Sequence, residues 1–525
     1  MADSSHDSLI VNVSTAVGAA HVLTDDDALA LFASDLLYEG AAPVCVVSPA
    51  TPEELTTAVK TITTAGYAVL PRGGGLSYSA GYIADRSDTV VVDTKRLNRV
   101  VEINADDMYV VVECGVTWAA LNDALAEHNL RTPFWGTGSG KFATVGATLS
   151  QHGVNYGSGQ YGLAAQSVNS LEVVTADGSI MVTGSAGNDQ NPSPFFRHYG
   201  PDLTGLFIGD CGAFGIKSRV TLQLIHRPPV TLYAAYEYET PEAFFGALSA
   251  VSRCQVVSEC FGFDPGFTAM RTTYAGIKDG LKILAGVTKS QKTVLGGVKE
   301  AIKVAAAGDR YLKDIRYSVH LAVDGRDEAD AKSRLDMACA ALRDNATEIE
   351  ASVPKVMRGN PFPDPTIAIG HNGERWIPMH GIVPHSRVLA LHKTLNTYME
   401  CQIPVMKQHG IVSCFTTLPV GQSGMLIEPN LYWRDARVPM LEQYLSHSYI
   451  KDKPSHPENL DARAAVKEIR KGMIDVFRAQ GAVHMQIGRV YPYLESRSPE
   501  VQALLKALKA QLDPKNLMNP GSLGL

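Results

Sequence analysis

From about residue 40 to 230, short β-branched runs alternate with stretches of helical period, the pattern of strands interleaved with helices. "PVCVVSP" (43–49) reads as a strand. "TPEELTTAVKTITTAG" (51–66) reads as an amphipathic helix capped by Thr51, with Pro52 opening it. "YAVLPRGGG" (67–75) is then a strand that runs into three glycines, and "DTVVVDTKRLNRVVEINADDMYVVVECGVTWAALNDALAEHN" adds two β-rich runs and a helix opening near Thr117. "SLEVVTADGSIMVTG" reads as a hairpin turning on Asp177-Gly178. After "IHRPP", which ends at residue 229, the texture changes: "VTLYAAYEYET" is followed by long helical patterns such as "DEADAKSRLDMACAALRDN". The proline-rich "GNPFPDPT" (359–366) reads as a loop within this second part. The pattern predicts an α+β chain with a boundary near 229.

Composition narrows the classes. With 525 residues the chain is long enough for two or three domains, and 45% hydrophobic against 19% charged residues is ordinary for a soluble globular protein. A net charge of −7 argues against nucleic acid and leaves small molecules as ligands. The eight cysteines are scattered without a C-x-x-C, as reduced thiols would be. "MADSSHDSLIVNV" carries acids where a leader has bases, and no apolar run is long enough to be an integral membrane segment, so a cytoplasmic location is expected. The lysine-rich stretch 277–313 reads as a solvated cap-domain helix, with an anionic membrane surface as the alternative. A homodimer stays open.

The chemistry concentrates in glycine-rich stretches. "PRGGGLSYSAG" (71–81), "TGSGKFATVGATLSQHGVNYGSGQYG" (137–162) and "PDLTGLFIGDCGAFGIKSRVTLQL" (201–224) mix permissive glycines with polar side chains, suiting a backbone laid along an extended polar ligand. None is a phosphate loop of the G-x-x-x-x-G-K-[ST] type, and no G-x-G-x-x-G lies between a strand and a helix with an acid beyond it.

In this order the three blocks resemble those of the vanillyl-alcohol oxidase/para-cresol methylhydroxylase superfamily of FAD enzymes. "LDPKNLMNPG" (512–521) is similar to the ending of its glycolate oxidase/D-lactate dehydrogenase branch. The resemblance implies a PCMH-type FAD-binding domain over 1–229, an α+β substrate (cap) domain over 230–500, and a segment 501–525 returning to the FAD domain. It assigns the cofactor pyrophosphate to Pro71, Arg72, Gly73, Gly74, Gly75, Leu76 and Ser77. To the ribityl chain and flavin it assigns Gly138, Thr144, Val145, Gly146, Thr148, Leu149, Gln151, His152, Gly153, Tyr156, Gly157 and Gly162. Asp210, Cys211, Gly212, Gly215, Ile216 and Asn519 complete the set. Leu76 stands where relatives with a covalent flavin carry histidine, so non-covalent FAD is expected.

The branch's H-x-G-D-G-N-x-H metal motif should fall near "TTLPVGQSGMLIEPNL", which contains no histidine, and His380 with His385 supplies at most two ligands, so no metal is expected. "GAVHMQIGRVYPYL" is similar to the E-H-G-x-G segment and puts the family's catalytic histidine on His484, with Val483 and Met485 replacing its neighbours. His484 is the expected base for oxidation of a C–OH group, an alcohol or 2-hydroxy acid, by hydride transfer to flavin N5. His380, Tyr491 and the carboxylate-binding candidates Arg375 and Arg489 complete the catalytic set, with Arg434 and Arg437 as further candidates. Tyr78 stands at the first tyrosine of the phenol-oxidising branch, the alternative reading, although that branch's later Tyr-Arg pair is replaced by Val483-His484. A non-catalytic flavin-binding protein is the alternative of another class.

Overall fold

The computed structural model describes residues 2–272, 317–365, 368–370, 372–451 and 453–525; the lysine-rich stretch 277–313 lies outside them. The first part holds two sheets. Four strands, β1 (Val22–Leu23), β2 (Cys45–Val47), β3 (Ala68–Arg72) and β4 (Thr89–Asp93), run in the order β1-β2-β4-β3, with β2 and β3 parallel to β4. The helix Pro52–Thr64 makes the crossover from β2 to β3. Thr51 accepts from the Glu54 amide at 3.1 Å, as its capping position predicts. Leu55, Val59 and Ile62 on its inner face are fully buried, and each stabilises the fold by about 1.5–3 kcal/mol.

Five further strands form an antiparallel sheet in the order β5-β6-β10-β8-β9: β5 (Val100–Asn104), β6 (Tyr109–Glu113), β8 (Val168–Val174), β9 (Ile180–Val182) and β10 (Ile216–Gln223). β8 and β9 are the hairpin around Asp177-Gly178, where Gly178 has φ 80° and the Asp177 carboxylate accepts from the Ser179 amide at 2.9 Å. The helix that begins near Thr117 is Trp118–Ala126, capped by that threonine. A short pair, β7 (Leu130–Arg131) and β11 (Ile225–His226), ends this part of the chain.

The second part is built on an eight-stranded sheet. β12 (Val230–Tyr238), β13 (Glu259–Phe263), β14 (Tyr317–Gly325), β15 (Ala346–Ile349), β16 (Arg375–Pro378), β18 (Val412–Val420) and β19 (Gly424–Trp433) run in the order β15-β12-β14-β13-β18-β19-β16, and β17 (Gly381–Pro384) pairs with β19. Side chains alternate between faces of a strand. On β19, Met425, Ile427, Leu431 and Trp433 enter an apolar core with Leu391 and Leu395 of the helix Val388–His409 and Val466 and Ile469 of the helix Leu460–Ala479. The alternate positions, Glu428, Asn430 and Tyr432, lie on the opposite face, which also carries Thr416 of β18 and Trp376 of β16.

The last residues come back to the first part. The Val69 amide donates to Leu517 at 2.7 Å and the Asn519 amide to Val69 at 2.8 Å, so the C-terminal segment runs beside β3. Buried Lys509 fastens it, donating to Asp513 and to the carbonyls of Ala213 and Met518, each at 2.7 Å.

Candidate functional site

Three glycine-rich blocks distant in sequence meet along one cleft of about 900 Å³, part of it open to solvent. Pro71 through Ser77 form one wall. Gly146, Thr148, Gln151 and His152 form a second, and Cys211, Gly212, Gly215 and Ile216 a third. Tyr82, Thr94, Cys114, Thr137, Ser139, Ala147, Ser150, Lys217 and Gln486 also line it, although sequence reasoning passed over them. Ala147 and Ser150 were within reach of that reasoning, because they share the helix Val145–Gln151 with Gly146 and Gln151. The contribution of Gln486 depends on tertiary return and leaves no local signal.

The remaining expected residues support the cleft from behind. Val145 and Leu149 turn into an apolar cluster, and Thr144 caps the helix that bears them. Gly153 packs on Thr148 and Phe134, and Gly138 lies beside Asn155. Gly157 donates to Glu259 at 3.1 Å and Tyr156 packs on Trp135 at 4.5 Å between centroids. Gly162 ends a helical turn at φ 77°. Asp210 pairs with buried Lys217 at 2.7 Å, and the Asn519 amide donates to the carbonyls of Gly81 and Cys211.

The cleft suits the pyrophosphate of a dinucleotide. The amides of Gly74, Gly75 and Leu76 have no hydrogen-bond acceptor among the described residues, although the segment lines the cleft. Successive free amides in a glycine turn hold an anion without a lysine. The turn is held from the other side: the Tyr82 hydroxyl bonds to the Gly75 carbonyl and the Tyr444 hydroxyl to that of Gly74. A Cβ on Gly74 would fall 2.2 Å from the Phe142 carbonyl oxygen, so only glycine allows this approach. His152, at φ 62°, leaves Nδ1 without a partner, and burial pushes it down to about 4, so it stands neutral beside the cleft.

At Gln486 the cleft adjoins a cluster of packed aromatic and histidine side chains. The Gln486 amide donates to the Gln151 carbonyl at 2.6 Å, and the amide of its neighbour Met485 donates to His380 Nε2 at 3.0 Å. Tyr78 sits edge-on to Trp376 at 5.9 Å. His484 stacks on Tyr491 at 4.2 Å, and its Nδ1 lies 2.7 Å from the His380 carbonyl. A carbonyl only accepts, so Nδ1 carries the proton and Nε2 is left as an acceptor. Burial pushes His484 down to about 4, and burial with the neighbouring His484 pushes His380 to about 3. The His380 amide donates to the Tyr491 hydroxyl at 3.1 Å. Arg470, fully buried, donates to the Tyr78 carbonyl at 2.6 Å and to the Tyr38 hydroxyl at 3.2 Å. Sequence reasoning missed Arg470, which arrives on a helix with no motif of its own.

The structure thus brings Tyr78, His380, His484 and Tyr491 together, and it does not bring Arg375 or Arg489 to them as free carboxylate binders. Arg375 is held by Asp435 at 3.2 Å and by the Leu36 carbonyl at 2.6 Å. Arg489 uses all its donors on Ala80, Ile83, Pro520 and Asn519, clamping the C-terminal segment to the loop after the glycine turn. Arg434 is exposed, and Arg437 donates to the Lys453 carbonyl at 2.6 Å. Among the described residues no three histidines, cysteines or carboxylates gather as a metal site would require.

Comparison with known proteins agrees with this geometry. Residues 43–184 match the FAD binding domain family and residues 487–523 the C-terminal domain of FAD linked oxidases. The mitochondrial D-lactate dehydrogenase [cytochrome] 1 of Saccharomyces cerevisiae is 28% identical over 200 residues, 38% of this chain and 32% of the yeast protein. The glycolate oxidase subunit GlcD of Escherichia coli (strain K12) is 27% identical over 220 residues, 42% of each. The chain thus spans well under half the length of these curated relatives. Among solved structures, p-cresol methylhydroxylase with substrate bound superposes with a TM-score of 0.73 at 16% identity, covering 99% of this chain and 97% of that one. The 4-ethylphenol oxidase of Gulosibacter chungangensis gives 0.71 at 16% identity, with the same coverage. Residues 43–184 thus carry an FAD binding domain and residues 487–523 the C-terminal domain of FAD linked oxidases.

Proposed function

We propose that this chain is an FAD-dependent oxidoreductase that oxidises the C–OH group of an alcohol or 2-hydroxy acid, with residues 1–229 holding the cofactor, 230–500 capping the substrate and 501–525 returning to the FAD domain. The observation that carries the reading is the junction at Gln486, a residue of the cleft suited to a dinucleotide that lies two positions from His484, whose imidazole packs on the phenol of Tyr491. Gly74, Gly75 and Leu76 bind the pyrophosphate through their amides. Bound FAD supplies a two-electron acceptor for the hydride of the substrate carbon. His484 receives the hydroxyl proton at Nε2, while its Nδ1–H, anchored on the His380 carbonyl, fixes the ring. Tyr491 keeps that ring parallel to its own, and Trp376 packs edge-on against Tyr78. Leu76 offers no nucleophile to the flavin, so FAD is held without a covalent bond. The names of the relatives, for D-lactate and for glycolate, favour hydroxy acids.

A second reading has its own observation. Tyr78, Tyr491 and Arg470 gather in one place, two hydroxyls and a cation fit to hold a phenolate; Arg470 spends Nη1 on Tyr78 and Tyr38, and its buried Nε and Nη2 have no hydrogen-bond partner among the described residues. An anaerobic screen that follows flavin absorbance separates the readings. Bleaching by alcohols or hydroxy acids supports the first, bleaching by para-substituted phenols alone supports the second, and bleaching by none leaves a flavin-binding protein without this catalysis. Acid precipitation tests the linkage, since free FAD should remain in the supernatant. A cytoplasmic location is proposed in the absence, among the described residues, of any helix long and apolar enough to cross a membrane; some relatives are mitochondrial, and fractionation decides.

A further inference from the structure

His484 is a poor final depot for a proton, because burial disfavours its charged form. Glu428, a carboxyl on the face of the cap sheet that carries Trp376, is a group near Tyr78 and Tyr491 able to take it. Glu428 of β19 lies opposite Thr416 in the register of β18 and β19, and Oε1 accepts from the Thr416 hydroxyl at 3.0 Å. Its second oxygen has no hydrogen bond, and no lysine, arginine or histidine pairs with it among the described residues. The side chain keeps accessible surface although it lies deep under the sheet, on the face that carries Asn430 and Trp376, and Trp376 meets Tyr78. The hydroxyls of Tyr78 and Tyr491 feel its charge.

From this placement we infer that Glu428 is the group that finally accepts the substrate hydroxyl proton, a catalytic residue of the proposed oxidation, with Thr416 as its positioning residue. The inference rests on the oxidative reading above. The O–H bond breaks and its proton passes to a Glu428 carboxylate oxygen, directly or by way of His484. The electron pair of that bond becomes the π bond of the carbonyl product, while the C–H bond gives up its pair as hydride to the bound flavin. Burial supports the assignment, because it raises Glu428 to about 7, where a carboxylate is an effective base near neutrality. The groups facing it are Thr416 from β18, Tyr78 from the glycine loop and Tyr491 from the C-terminal part. Burial raises both phenols, so they stay protonated through that range, and Arg470 stands behind them as a fixed cation.

Two measurements on the FAD-loaded protein test this. In infrared pH-difference spectra without substrate, wild type should show carboxylic acid carbonyl bands titrating near neutrality from Glu428 and from Asp264, which burial raises to about 6, and Glu428→Gln should lose the one that titrates near 7 and keep the other. In anaerobic mixing with a donor found by the screen, wild-type flavin reduction should accelerate as pH rises through about 7. Glu428→Gln should be slower by roughly 100-fold with that dependence gone, and Glu428→Asp should recover part of the rate. FAD content and melting temperature control for folding. Carboxyl bands unchanged between wild type and Glu428→Gln, or a variant reduced at the wild-type rate with the wild-type pH profile, overturns the assignment of Glu428. A wild-type flavin that no donor reduces sinks the oxidative reading instead, and the infrared result then reports on the carboxyl alone.

Discussion

Replacing Gly74 by alanine tests the anion turn where its geometry is tightest. The added Cβ would lie 2.2 Å from the Phe142 carbonyl oxygen and 2.9 Å from its carbon, far inside van der Waals contact. Both neighbours are backbone, so no side chain can swing away, and the turn must move by about 1 Å to restore contact distance. Overpacking of this kind costs about 1–3 kcal/mol. If the strain is relieved by moving the amides of Gly74, Gly75 and Leu76 away from the pyrophosphate, that cost falls on cofactor affinity, a rise in the FAD Kd of about 5- to 150-fold. Titration of apoprotein with FAD, followed by flavin fluorescence, measures it. Gly246→Ala is the control: this exposed glycine, in the helix Pro241–Arg253, has nothing within 4 Å of its added Cβ. That change should stabilise the protein by about 0.5–1 kcal/mol and leave the Kd alone. A Gly74→Ala protein with wild-type Kd and melting temperature would refute the reasoning.

Other consequences are open to measurement. His484→Ala should slow flavin reduction by roughly 100-fold while leaving FAD content intact, read by anaerobic stopped-flow absorbance. Lys509→Met should lower stability by about 3–5 kcal/mol, because it strands the buried Asp513 carboxylate and releases the loop bearing Ala213; urea denaturation at constant FAD measures this. Burial holds His152, His392 and His484 at about 4 and His320 and His380 at about 3, against 6.5 for an exposed imidazole. The unfolded chain therefore binds protons that the folded chain refuses, and stability falls as pH drops below about 6.5. Each histidine contributes a slope of up to roughly 1.4 kcal/mol per pH unit until its folded value is reached. Glu428, raised by burial, has the opposite sign: its contribution is present below its ordinary value and is lost as pH rises through about 7. Urea midpoints measured between pH 4 and 8 check the balance.

The first part of the fold is legible in the sequence because its signals are local. Thr51 and Thr117 cap helices, Asp177-Gly178 turns a hairpin, and runs of consecutive valines mark β2, β4 and β6. The glycine blocks disclose a cleft for the same reason, since a bare backbone is written directly in residue type. The cluster around His484 is another matter. His484 and Tyr491 come from one segment that carries a family pattern, but Arg470 and Glu428 are ordinary members of an amphipathic helix and a strand until the tertiary fold sets them beside Tyr78. Arg375 and Arg489 show the converse. Residue type suited both to a carboxylate, yet Asp435 and a ring of carbonyls claim their guanidinium groups for the fold. Partners of that kind are not visible along a sequence.

The central claim, that a C–OH donor held beside His484 is oxidised by FAD bound along the glycine cleft, is tested most directly by anaerobic mixing of the purified flavoprotein with alcohols and 2-hydroxy acids, in protiated and α-deuterated form, while flavin absorbance is recorded. The account predicts bleaching by at least one such donor, slowed several-fold by deuterium at the reacting carbon. Bleaching by phenols alone, or by no donor at all, would contradict it.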